Sequence, residues 1–233
     1  MNREIQADFK KLLTYFSQYN LQNIAADPLF ISNAKTIHRK LYSYLIFMCE
    51  AEQAQIFKSQ ETLNYYNEAG SDLILALFCW SNGAYKPAEF QLRSAIENFI
   101  KASLYEEWND VITCKSVYEI MDYSTSSTFF GNTICQKSLS DIKNTYANLC
   151  AFVHSSPNNL VSQRSLIQLP QYDLNNSAEF TRNFQAIANN LLSILYYSHF
   201  KFIFTIHITN RELFLQGLTS TSKAEIYEEK TKE

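Results

Sequence analysis

Glycine and proline are scarce in this 233-residue chain, which contains only four of each. An all-β fold needs many tight turns, and an alternating βα fold needs glycine-containing loops, so neither class suits this composition. The chain also has no P-loop, GxGxxG or GxSxG motif, so a loop that cradles phosphate is not expected. The scarcity of turn residues favours a helical protein.

Paired metal-binding residues are also missing. No CxxC, HExxH or Glu-x-x-His spacing occurs, so we expect neither a metal nor another cofactor. The cysteines are odd in number and widely separated, which is typical of reduced cysteines in a protein interior. They are Cys49, Cys79, Cys114, Cys135 and Cys150.

A strong net charge and a long apolar run are both absent. The formal charge of −3 argues against a surface that attracts nucleic acid everywhere, although it leaves room for a local basic cleft. The first five residues lack the apolar stretch of a signal peptide. The most apolar segment, 191–208, contains Lys201, and a lysine at the centre of a membrane helix costs about 2.5–3.5 kcal/mol. We therefore expect a cytoplasmic protein without a membrane partner.

Apolar residues recur at helical spacing along most of the chain, which predicts an all-α fold arranged as an antiparallel helical bundle. Asp27 followed by Pro28 predicts the start of a long helix. We expect further helices at about 62–82, 87–107, 112–122, 134–153 and 177–209. The segments 62–82 and 87–107 should pair as an antiparallel hairpin. Residues 1–218 are predicted to form one domain, and the polar, charged residues 219–233 a flexible tail.

The predicted helix at 87–107 carries charges of alternating sign at steps of four residues: Glu89, Arg93, Glu97 and Lys101. One interpretation is a solvated ladder of ion pairs, each worth about 0.3–0.5 kcal/mol. The other is that Arg93 and Glu97 line a functional cleft.

A second candidate segment, YANLCAFVHSSP, begins at Tyr146 and contains His154 where the preceding helix is predicted to end. Helix carbonyl ends carry partial negative charge and favour the protonated imidazole, which suits proton transfer near neutral pH. A histidine that merely caps the helix explains the same position.

Together, GAYKPAEFQLRSAIENFIKA and YANLCAFVHSS resemble the HEPN superfamily of helical bundles. The segments resemble especially the HEPN-like proteins of bacterial abortive infection and toxin–antitoxin systems, and the resemblance covers roughly residues 59–156. It implies a bundle with a long helical hairpin and a homodimer with a cleft. It also implies a role in phage defence or stress, with an RNA substrate or a cognate partner protein.

Active HEPN ribonucleases carry an arginine, then four to six residues, then a histidine. The matching histidine here is His154, while Asn148 stands in the region of the arginine, and a neutral amide cannot replace a guanidinium. If the chain is a metal-independent endoribonuclease, the resemblance implies that His154 is the general acid or base and Asn148 orients the phosphate. The supporting or substrate-binding residues would be Arg93, Glu97, Tyr146, Ser155 and Arg164.

Two other functions fit the same segments. A catalytically inactive HEPN-like module would bind a partner protein or a nucleic acid, and the missing arginine favours it. A structural or antitoxin-like subunit would use no cleft at all.

Overall fold

A computed structural model describes residues 2–18, 22–153 and 172–232 of the chain. These residues form helices and contain no strand, which confirms the all-α class. The helices are α1 (Arg3–Gln18), α2 (Gln22–Ala25), α3 (Pro28–Gln53), α4 (Gln60–Ser81), α5 (Tyr85–Leu104), α6 (Val117–Ser126), α7 (Thr133–Val153), α8 (Leu174–Ser198), α9 (Phe200–Ile203), α10 (Ile208–Leu215) and α11 (Ser220–Lys232), with a 3₁₀ turn at Asn109–Ile112.

Helix α3 begins where the Asp27-Pro28 pair predicts. The carboxylate of Asp27 accepts a hydrogen bond from the backbone N–H of Phe30 at 2.7 Å, and Pro28 occupies the first turn. The cap satisfies one of the amide groups that have no partner within the helix, and proline at this position gives up no helical hydrogen bond. The sequence prediction is confirmed at this position.

Helices α4 and α5 form the predicted antiparallel hairpin. Gly83 lies in the short connection with a φ of 70°, in the left-handed region that favours glycine. Hydrogen bonds between the helices fix their register, from Tyr66 to Ser103 at 2.9 Å and from Asn98 to Asp72 at 2.8 Å. Helix α5 also packs against α7 and α8, so it lies at the centre of the bundle.

An aromatic stack fills the core where α3, α4 and α8 meet. The Trp80 ring lies parallel to Phe30 with centroids 4.9 Å apart, and Phe180 lies on it at 6.1 Å. The indole N–H donates to the hydroxyl of Ser177 at 3.0 Å, so the polar atom of this fully buried side chain is satisfied.

The prediction of one last helix over 177–209 is wrong, because α8 ends at Ser198. The imidazole of His199 lies between the rings of Phe47 and Phe57, and the chain turns there into the short α9. The turn lets α10 fold back, so that Phe214 packs against Phe47 at 5.6 Å. The most apolar segment is thus divided among several elements, and no described helix has the length and apolar character needed to cross a bilayer.

Residues 220–232 form helix α11, which composition did not predict. Its Ile226 is fully buried in the core. The chain enters this helix through Gly217, whose carbonyl accepts a hydrogen bond from the buried ammonium of Lys40 at 2.9 Å. A Cβ on Gly217 would lie 2.5 Å from that of Ser43, so only glycine permits this close approach.

Candidate functional site

Helices α5 and α7 bring together three of the predicted site residues. The Arg93 Nε donates hydrogen bonds to Glu97 Oε1 at 3.0 Å and to the Tyr146 hydroxyl oxygen at 2.9 Å. The Tyr146 hydroxyl donates in turn to the same Glu97 oxygen at 2.5 Å. The guanidinium also lies 5.4 Å from the centre of the Tyr146 ring. We call these three residues the Arg93 cluster.

The charges of the Arg93 cluster offset one another. Partial burial alone would lower the pKa of Arg93, but its contacts with Tyr146 and Glu97 outweigh burial and raise that pKa. Burial, and then the bond to Glu97, raises the pKa of Tyr146, so its hydroxyl keeps its proton and acts as a donor. The guanidinium is therefore held beside a carboxylate and a neutral phenol.

Carboxylates lie close to the Arg93 cluster on the α4–α5 face. Asp72 of α4 is buried and accepts a hydrogen bond from Asn98 at 2.8 Å. Burial raises the pKa of Asp72, the neighbouring charges of Glu68 and Glu97 act in the same direction, and hydrogen bonds from Ser94 and Asn98 oppose them. Among the described residues, this face therefore carries carboxylates as well as the charge of Arg93.

A solvated ladder of ion pairs describes only part of α5. Arg93 and Glu97 do form the expected i, i+4 pair. Glu89, however, is only 3% exposed and points to α8, where its Oε1 accepts a hydrogen bond from Asn183 at 3.2 Å. Its Oε2 is buried and has no hydrogen-bond partner in the part of the chain that the structure describes, and burial raises the pKa of this carboxyl to about 7. Lys101 places its ammonium 5.9 Å from the Tyr65 ring.

Of the remaining predicted site residues, the structure describes only Asn148. Asn148 is exposed on α7, two positions after Tyr146, and therefore on another side of that helix. His154, Ser155 and Arg164 lie outside the described residues, so their predicted roles stay predictions. The structure thus assembles the supporting residues Arg93, Glu97 and Tyr146 and leaves the predicted catalytic pair untested.

The sequence pattern did not indicate the buried carboxyl of Glu89 or a small cavity beside His199. Neither has a motif, because both depend on how distant helices cross. Among the described residues, no group of three or more histidines, cysteines and carboxylates is arranged to hold a metal ion.

Comparison of the chain with protein-family models, with curated proteins and with solved structures gave no match.

Proposed function

We propose that this chain is a HEPN-like module of a bacterial phage-defence or stress system, acting in the cytoplasm as a homodimer that binds a partner protein. The observation that carries the proposal is the Arg93 cluster. Cleavage of RNA through its own 2′-hydroxyl needs positive charge that is directed at the phosphate in the transition state. Arg93 instead shares its charge with Glu97 and bonds to Tyr146.

An exposed apolar surface on α4 supports the homodimer in this proposal. Ile74, Leu75 and Phe78 are 44%, 47% and 37% exposed, and their spacing places them on one side of the helix. We call these residues the α4 patch. It contains no charge, so two copies can meet across a two-fold axis without like charges facing each other. A second copy of this chain is therefore the occupant that we assign to it.

Replacing Leu75 with glutamate should convert the dimer into a monomer, because it puts a charge at the centre of an apolar interface. Sedimentation velocity measures the change, and circular dichroism checks that the helical content is kept. Leu174→Glu is the matched control, since Leu174 is also half exposed but begins α8. A wild-type monomer at every concentration, or a dimer that survives Leu75→Glu but not Leu174→Glu, would contradict the assignment.

A metal-independent endoribonuclease is the second candidate. Helix α7 extends to Val153, where its end was predicted, so His154 follows its last described residue. Arg93 packs against the same helix at Tyr146. In this alternative His154 is the acid–base group, Asn148 orients the phosphate, and Arg93 or Arg164 supplies the charge.

Incubation with mixed-sequence RNA in excess EDTA separates the two candidates. For a binding module we expect no products from the wild-type protein or from His154→Ala. Products ending in a 2′,3′-cyclic phosphate that His154→Ala reduces by about 10²–10⁴-fold would instead establish the ribonuclease. His207→Ala is the control, because His207 is exposed and lies at the start of α10.

A further inference from the structure

Two cavities lie beside the loop that joins α3 to α4. The outer cavity has a volume of about 500 Å³ and lies between this loop and the first turn of α4. The inner cavity has a volume of about 170 Å³, and most of the surface that lines it is apolar. Phe57 and Lys58 border both cavities. The Phe57 ring therefore forms part of the partition between them.

Most polar groups in the inner wall already have partners. The hydroxyls of Tyr66 and Ser103 are hydrogen-bonded to each other at 2.9 Å. The carboxylate of Glu107 accepts a hydrogen bond from the backbone N–H of Phe129 at 2.6 Å and so fixes that ring in the wall. His199 is different, because its Nε2 is buried and has no hydrogen-bond partner among the described residues.

The imidazole of His199 is neutral at pH 7, since burial lowers its pKa to about 4. Its ring lies 5.5 Å from Phe47 and 5.6 Å from Phe57, measured between ring centres. A buried nitrogen without a partner costs free energy that a new hydrogen bond would recover. The cavity that His199 lines is the space from which such a partner can come.

We propose that the inner cavity binds a small, neutral aromatic molecule with one hydroxyl group, whose ring fills the apolar space and whose hydroxyl bonds to His199. A cavity of about 150 Å³ lined by apolar side chains is large enough for benzene, so a single ring fits here. A hydroxyl both donates and accepts, so it can pair with Nε2 in either tautomer of the imidazole.

Contact with His199 Nε2 requires Phe57 to move. The Nε2 atom is covered by protein atoms, and the edge-to-face ring of Phe57 is one of its neighbours. The outer cavity leaves room for this ring to swing away from His199. The same loop contains Gln55 at a φ of 50°, a region that residues other than glycine rarely adopt. Binding thus opens the partition between the two cavities.

The test compares phenol with toluene, which have similar shapes but differ in the hydroxyl group. In an apolar cavity without a hydrogen-bond partner, toluene binds more tightly, because burying an unpaired hydroxyl is unfavourable. With His199 as partner, we expect phenol to bind about tenfold more tightly than toluene. Titration of the wild-type protein, followed by the amide resonances of the α3–α4 loop in NMR spectra, measures both affinities.

Three variants test whether His199 and the cavity are responsible for the preference for phenol over toluene. His199→Phe should reverse the order so that toluene binds more tightly, whereas His207→Phe, the same change at an exposed position, should leave it unchanged. Ala102→Leu places extra atoms in the cavity and should abolish binding of both molecules. Failure of the wild-type protein to bind either molecule, or tighter binding of toluene, would overturn the proposal whether or not the variants fold.

Discussion

Replacing Glu89 with glutamine should stabilise the folded protein by about 3 kcal/mol at pH 8, since each pKa unit corresponds to about 1.4 kcal/mol. The ordinary pKa of this carboxyl is 4.5, and burial between α5 and α8 raises it to about 7 in the folded protein. At pH 8 the folded state must therefore hold a buried negative charge whose Oε2 has no hydrogen-bond partner from residues 2–18, 22–153 or 172–232. Glutamine removes the charge and can still accept the hydrogen bond from Asn183.

The raised pKa of Glu89 also determines how the free energy of unfolding changes with pH. Between pH 4.5 and about 7 the folded protein keeps the Glu89 proton that the unfolded chain has lost. Stability contributed by this group therefore falls as the pH rises through that window. Below pH 4.5 the carboxyl is neutral in both states, so the wild-type protein and Glu89→Gln should differ least there. Urea unfolding at several pH values measures the difference.

Glu212→Gln is the control for this prediction, because Glu212 is exposed on α10 and should change stability by less than about 0.5 kcal/mol. Equal stability of Glu89→Gln and the wild-type protein from pH 5 to pH 8 would show that the carboxyl is solvated or paired when ionised.

Trp80→Ala should destabilise the protein by about 3–5 kcal/mol, the usual cost of deleting a large buried aromatic side chain. The variant loses the stacking on Phe30 and Phe180 and leaves a cavity where three helices meet. The indole bond to Ser177 is lost as well, although the Ser177 hydroxyl keeps its bond to Tyr172 at 2.7 Å. The midpoint of urea unfolding measures the loss.

Trp80→Phe and Trp108→Ala control for this effect. Phenylalanine keeps most of the ring contacts, so it should recover more than half of the stability lost in Trp80→Ala. Trp108 is only partly buried, beside Tyr123, so Trp108→Ala should destabilise the protein less than Trp80→Ala. A Trp108→Ala variant that is less stable than Trp80→Ala would contradict the conclusion that the aromatic stack around Trp80 contributes more to stability than Trp108 does.

The sequence predicted the fold well where local chemistry determines it. Asp27 and Pro28 define the start of α3 through a cap that needs no distant partner, and Gly83 allows the turn between α4 and α5. Helix α7 was placed within one residue of its observed start, and its end matches. The end of α8 was missed because His199 is compatible with a helix, and its position depends on Phe47 and Phe57 of distant segments.

The candidate site was only partly visible in the sequence. Spacing correctly paired Arg93 with Glu97, because residues four apart share one face of a helix. The same spacing could not show that Glu89, one turn earlier, faces α8 and is buried. Tyr146 was a candidate through family resemblance, whereas its bonds to Arg93 and Glu97 depend on how α7 crosses α5.

The short connection between α4 and α5 also bears on the order in which the chain folds. These helices pair after only residues 82–84 have turned, so bringing them together costs little chain entropy. The bond between Lys40 and Gly217 must instead close a separation of 177 residues. We therefore expect contacts within the hairpin to form in the transition state for folding, and α10 and α11 to dock late and to detach first when the protein unfolds.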